Sequence, residues 1–109
     1  MKRKIITLCG STKFRDQFKE IERMLTMQGK IPLPPAFYGK AEGIEYLPEM
    51  AKQLWELHLD KINISDGIYV IDLGGYIGES TKKEIEFAKS AGKDVKYYSR
   101  DIGNKLSQI

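Results

Sequence analysis

The sequence is poor in the residues that most often announce a chemistry. Among its 109 residues there is one cysteine, Cys9, so no intrachain disulfide can form, and a reducing cytoplasm is the expected compartment. There is also one histidine, His58. One histidine and one cysteine cannot complete a zinc site within a chain unless carboxylates join them, and no metal is expected. No apolar run approaches the roughly 20 residues that a membrane span needs. The basic start Met1-Lys2-Arg3-Lys4 leads into an apolar segment that stops at Gly10, which is not the pattern of a secretion signal. Charge is not one-sided: 18 basic residues against 15 acidic ones leave +3, too little to argue for a nucleic-acid partner. Repeats, linkers and low-complexity segments are absent. With 41% hydrophobic and 30% charged residues, the composition is that of one soluble globular domain.

What is present is an alternation. Lys4 to Cys9 is short and nearly continuous in apolar character, as in a strand covered on both faces. Gly10-Ser11-Thr12 breaks it, and Ser11 or Thr12 can cap a helix over about Lys13 to Gln28. Phe14, Phe18, Ile21 and Leu25 form the apolar stripe of that helix, and Gly29 ends it. Lys30 to Leu33 suits a second strand. Pro32, Pro34 and Pro35 then forbid regular pairing, and residues 34–45 make a long loop that carries Phe37 and Tyr38. A second helix is expected over about Leu47 to Ile64. Leu54, Trp55, Leu57, His58, Ile62 and Ile64 are too many large groups for one narrow face, so a second face against a partner chain is expected. A third strand, Ile68 to Asp72, leads through Gly74, Gly75 and Gly78 into a helix over about Ser80 to Ala91. Asp94 to Ser99 is a fourth strand, and Arg100 to Ile109 a final turn or tail.

This β-α-β-α-β-α-β order predicts a small α/β fold. It is a doubly wound, Rossmann-like or flavodoxin-like parallel sheet of about four strands with helices on both faces. Ligands of such sheets bind beyond the carboxyl ends of the strands, where the strand order reverses. The loops at that end are Gly10-Ser11-Thr12 and Leu73 to Glu79. If their strands are neighbours, the two loops face each other across one crevice. Gly74, Gly75 and Gly78 do not fit G-x-G-x-x-G, so no dinucleotide and no other cofactor is expected. The turn is either a plain connection or, with the free N–H groups of the next helix, a site for an anionic or polar ligand.

Individual side chains keep two readings. Glu84 is either a solvated helix carboxylate or, beside the apolar Ile85, a group at the crevice able to attack an anomeric carbon. Asp72, at a strand end, either serves catalysis or caps the turn. His58 in an apolar helix is a packed, hydrogen-bonded residue or a general acid. Cys9 reads as a small core residue, because a nucleophilic cysteine needs a nearby base that the sequence does not display. Lys13 and Arg15 either hold a phosphate with Ser11 and Thr12 or point to solvent.

The segments ITLCGSTKFRDQF and SDGIYVIDLGGYIGESTKKEIEFAKSAGK resemble the nucleoside 2-deoxyribosyltransferase superfamily, which includes the 2′-deoxynucleoside 5′-monophosphate N-glycosidases. The likeness is nearest to small bacterial and phage members. The resemblance implies that Glu84 is a nucleophile toward C1′ of a deoxyribosyl group, and that water or a second base resolves the glycosyl-enzyme. It implies that Gly10 and Ser11 contact ligand in the first loop, and that Gly78, Ser80 and Thr81 meet the sugar or its phosphate. Two positions differ. Thr7 stands where the glycosidases have a tyrosine, and His58 stands where the superfamily has an aspartate that orients the sugar and protonates the base. Asp60 lies close to that position and is kept as a further contact. The superfamily also completes its active sites across subunits, which implies a homodimer or larger homo-oligomer.

Two functions are therefore carried forward. One is a nucleoside or nucleotide N-glycosidase or 2-deoxyribosyltransferase. Its catalytic residues would be Glu84, His58 and Asp72. Substrate would be held by Gly10, Ser11, Thr12, Lys13, Arg15, Phe37, Tyr38, Asp60, Gly74, Gly75, Gly78, Ser80 and Thr81. The other is a non-catalytic module that binds a nucleotide or senses a nucleotide signal, which needs the loops but not Glu84.

Overall fold

The computed structural model describes residues 2–35, 45 and 47–103. Strands β1 (Ile5–Gly10), β2 (Ile31–Leu33), β3 (Gly67–Ile71) and β4 (Asp94–Tyr97) form one parallel sheet in the order β2-β1-β3-β4. Between them run helices α1 (Arg15–Met27), α2 (Pro48–Ile64) and α3 (Glu79–Ser90). The strand order reverses between β1 and β3, so the expected α/β architecture is the one observed.

The alternation of side chains along each strand sorts the core into two layers. Leu8, Tyr69 and Ile71 pack with Phe18, Ile21 and Leu25 of α1, and Tyr98 closes that layer. Cys9, Ile68 and Val70 point to the opposite face and pack with Ile62 of α2 and Ile85 and Ala88 of α3. Every residue of β3 is buried, which is why its sequence is a continuous apolar run without polar alternation.

The start of the first helix and the end of the last strand differ from the sequence expectation. The first helix opens as a tight 3-10 turn over Thr12–Phe14, capped by Ser11, and becomes α-helical only at Arg15. The last strand stops at Tyr97 rather than Ser99. Residues Ser99–Gly103 instead make a wide π-helical turn, because side chains from β3 and its exit hold that segment. Asp72 binds Ser99, and the Tyr69 hydroxyl donates to Asp101 at 3.0 Å.

The two apolar faces expected of α2 are both present. Ile62 is buried, and Leu54, Trp55, His58 and Leu59 are half-buried against the protein. Met50, Leu57 and Ile64, seven residues apart in turn, are exposed on the other side. No helix among the described residues is long and apolar enough to cross a membrane.

Candidate active site

The two glycine loops come together because β1 and β3 are parallel neighbours in register. Cys9 pairs with Val70 and Gly10 with Ile71, so both strands deliver their loops at the same end of the sheet. Gly10 has φ 146°, and a Cβ there would sit 2.8 Å from the Ile71 carbonyl oxygen. Only glycine permits both the dihedral and this approach. The loops also touch through side chains. The Lys13 ammonium lies 3.7 Å from the centre of the Tyr76 ring and 5.2 Å from that of Phe14, and the two rings meet edge to face at 6.0 Å. Tyr76 was not singled out in the sequence; an aromatic residue set inside a glycine turn was the available signal.

On the side of the sheet covered by α2 and α3, three side chains converge. Thr81, Glu84, Ile85 and Ala88 form the buried stripe of α3, so Glu84 sits within the inner face and only 7% of it is exposed. The dull reading of a solvated helix carboxylate therefore does not apply. His58 reaches the same point from α2, with Nε2 3.2 Å from Glu84 Oε1. Cys9 reaches it from β1, with Sγ 3.5 Å from His58 Nε2. Cys9 is fully buried, and burial first, then the charge of Glu84 and a hydrogen bond to it, push the thiol well above its ordinary range. Glu84 thus accepts a hydrogen bond from the Cys9 thiol and, in the matching tautomer, from the His58 ring N–H. The sequence suggested no base near Cys9, and the fold supplies both an imidazole and a carboxylate.

The helix that carries His58 is held in place about two turns further on. The Ser65 hydroxyl, at the end of α2, donates to the Lys61 carbonyl at 2.7 Å and so accepts from the Thr7 hydroxyl at 2.6 Å. Both are buried. Thr7 lies two residues before Cys9 on the same face of β1, so this bond sets α2 against the strand where His58 must meet Cys9. Lys61 adds a bond from its ammonium to the Pro34 carbonyl at 2.9 Å, and burial lowers its affinity for the proton.

The remaining sequence candidates scatter. Asp72 is buried at the end of β3, and its two oxygens accept from the Ser99 N–H at 2.8 Å and the Ser99 hydroxyl at 2.7 Å. Its carboxylate faces the turn after β4 rather than the Cys9–His58–Glu84 cluster. Asp60 is exposed; two residues beyond His58, it lies about 200° around α2. Gly74 and Gly75 have φ 65° and 82° and stand in open space, so their conformation demands glycine while their surroundings do not. Gly78 precedes α3 as its N-cap, and no side chain caps that helix, which leaves its first N–H groups without a side-chain acceptor. Ser80 is exposed and Thr81 buried in the first turn. Ser11 accepts from the Lys13 N–H, Thr12 is half-buried in the same turn, and Arg15 is half-buried at the start of α1. Phe37 and Tyr38 lie outside the described residues.

The sequence matches no protein-family model and no curated protein. Among solved structures, the fold is similar to that of the Clostridium botulinum CMP N-glycosidase BcmB. The TM-score is 0.59 at 19% identity, over 86% of this chain and 70% of the glycosidase chain. At that identity the likeness is one of architecture: this chain and a CMP N-glycosidase share a parallel α/β fold.

Proposed function

We propose that this protein is a nucleotide N-glycosidase or 2-deoxyribosyltransferase in which Glu84 is the nucleophile. The observation that carries this reading is the placement of Glu84: a buried carboxylate on the inner face of α3, in contact with His58 and Cys9. In the reaction a Glu84 oxygen forms a bond to C1′. The C1′–N bond breaks, its electron pair leaves with the base, and the base takes up a proton from solvent water. Water then hydrolyses the glycosyl ester, or a second base takes the sugar. The uncapped N-terminus of α3 and the Gly10-Ser11 turn would hold the sugar or its phosphate, with Lys13 above them.

His58 is assigned a positioning role. Acid and nucleophile in a retaining glycosidase stand about 5–5.5 Å apart, on opposite sides of the scissile bond. His58 Nε2 is 3.2 Å from Glu84 Oε1, which suits orienting the nucleophile and not protonating the leaving base. Asp72 is assigned to hold the turn after β4, since Ser99 takes both of its oxygens. Phe37 and Tyr38 are assigned to stacking on the base, and the assembly is proposed to be a homo-oligomer.

The test is to incubate the protein with a panel of nucleosides and nucleotides, CMP and dCMP among them, and measure released base. Glu84→Gln should keep the shape, still bind, and lose release by on the order of a thousandfold or more. Release that survives this change removes the nucleophile assignment. No release from any compound, with measurable nucleotide binding, favours the non-catalytic binding module.

A further inference from the structure

We propose that Cys9, His58 and Glu84 form a binding site for one zinc ion, with three protein ligands and a fourth position open toward the crevice. The proposal uses the side chains of the glycosidase reading but does not depend on that reading.

The geometry is the first argument. Sγ of Cys9, Nε2 of His58 and an oxygen of Glu84 lie within 4.8 Å of one another, each residue offering one ligand atom. Tetrahedral zinc, with Zn–S of about 2.3 Å and Zn–N and Zn–O of about 2.0–2.1 Å, places sulfur about 3.5 Å from nitrogen and nitrogen about 3.3 Å from oxygen. The observed separations are 3.5 Å for Cys9 Sγ to His58 Nε2 and 3.2 Å for His58 Nε2 to Glu84 Oε1. Two of the three separations thus match a zinc site, and the third, Cys9 Sγ to a Glu84 oxygen, lies within 4.8 Å, a gap that a side-chain rotation can close.

Three different elements supply the ligands: β1, α2 and α3. Their positions follow from the packing of the sheet and not from a local loop, so the set is held by the core. Access is one-sided. Cys9 is fully buried, while the His58 and Glu84 side chains keep 12% and 10% of their surface exposed. The ion would enter past these two and keep its fourth ligand, water, on that side.

Charge is the third argument. Zinc displaces the Cys9 thiol proton to solvent, and the resulting thiolate with the Glu84 carboxylate balances the two positive charges of the ion. The filled site is then neutral, as a buried site should be. A thiolate and an imidazole select a borderline-soft ion over magnesium or calcium, which require oxygen donors.

Zinc would occupy the oxygen that the glycosidase reading needs for attack on C1′. Metal binding and glycosyl transfer would exclude each other, and zinc would act as a reversible inhibitor.

Cobalt(II) is the probe. The full chain, reduced and freed of metal with a chelator, is titrated with cobalt chloride and followed by absorbance. We expect saturation at one equivalent, a thiolate-to-cobalt charge-transfer band, and visible bands of tetrahedral intensity that zinc abolishes by displacement. Removal of an outer-shell partner commonly weakens a metal site about 10–100-fold, so loss of a ligand in Cys9→Ser or His58→Asn should weaken zinc more than about a hundredfold. Circular dichroism checks that each variant is folded, and the wild-type titration decides if one is not. Absence of a one-equivalent complex, a cobalt spectrum without the charge-transfer band, or zinc affinity unchanged in both variants overturns the site. The spectra require no turnover, so the two readings fail separately. If base release is lost in Glu84→Gln while cobalt does not bind, only the zinc site falls. If cobalt binds and no compound releases its base, only the glycosidase falls.

Discussion

At the scale of single residues, the molecule turns on whether a side chain finds its partner. Cys9 does, and its thiol is held protonated by burial and by Glu84. Since the thiolate is the reactive form, a thiol reagent should modify the native metal-free protein at least about a hundredfold more slowly than the unfolded chain. Rapid native labelling would contradict this account of Cys9. His58 offers a second check. If it orients the nucleophile as proposed, it should affect kcat more than KM, so His58→Asn should lower kcat by about tenfold or more with KM nearly constant. A change confined to KM would move His58 into the substrate-binding set.

At the scale of elements, backbone geometry and cross-element hydrogen bonds decide what the chain tolerates. Gly10 and Gly75 both have positive φ, but Gly10 lies against the Ile71 carbonyl and Gly75 faces open space. Gly10→Ala should therefore cost about 2–3 kcal/mol in denaturant unfolding, while Gly75→Asn should cost less than about 1 kcal/mol. Equal costs would mean that close approach at the β1–β3 exit is unimportant. The layer packed on α1 has an alkaline limit. Tyr98, pushed up to about 12 by burial and by its hydrogen bond to Glu20 of α1, favours the neutral phenol in the folded state. Its contribution is complete below the unfolded value of about 10 and is lost as pH rises from there to about 12. Tyr69, raised by burial and by Asp101, acts in the same direction. Cys9, also raised, begins the loss as pH passes the ordinary thiol value of about 9, the tyrosines steepen it above about 10, and Tyr98→Phe should flatten that steeper part. An unchanged alkaline slope in the variant would refute the role given to the Tyr98–Glu20 bond.

At the scale of the whole molecule, the unburied face of α2 is the feature with the largest consequence. Met50, Leu57 and Ile64 line one side of that helix and are 47%, 43% and 63% exposed. If this stripe joins two copies, sedimentation at micromolar concentration should show a dimer or larger species, and Leu57→Glu with Ile64→Lys should give a monomer. A wild-type monomer under those conditions would remove the homo-oligomer from the proposal. The positions of Leu54, Trp55 and Leu59 on the inner side of α2 explain why such surface changes should leave the fold intact.

Much of this protein is written locally in its sequence. The type and order of the strands and helices follow from runs of apolar residues, their spacing and the glycines between them, because these preferences act over a few neighbours. The alternation predicted a parallel sheet, but whether β1 and β3 are neighbours stayed open in the sequence, and the sheet order β2-β1-β3-β4 decides it. Glu84 and His58 were legible as candidates, the first from its place beside an apolar stripe and the second as the lone imidazole. Their relation was not legible. Side-chain contacts between β1, α2 and α3 depend on how three elements pack, and no short-range pattern encodes a 3.2 Å approach between residues on separate helices. The same packing made Cys9, a core residue as the sequence suggests, a neighbour of both. It turned Asp72 away to Ser99, and it tied Thr7 to Ser65 so that α2 presents His58 at the right height. Local preferences determined the parts, and burial on two faces of one sheet decided which side chains meet.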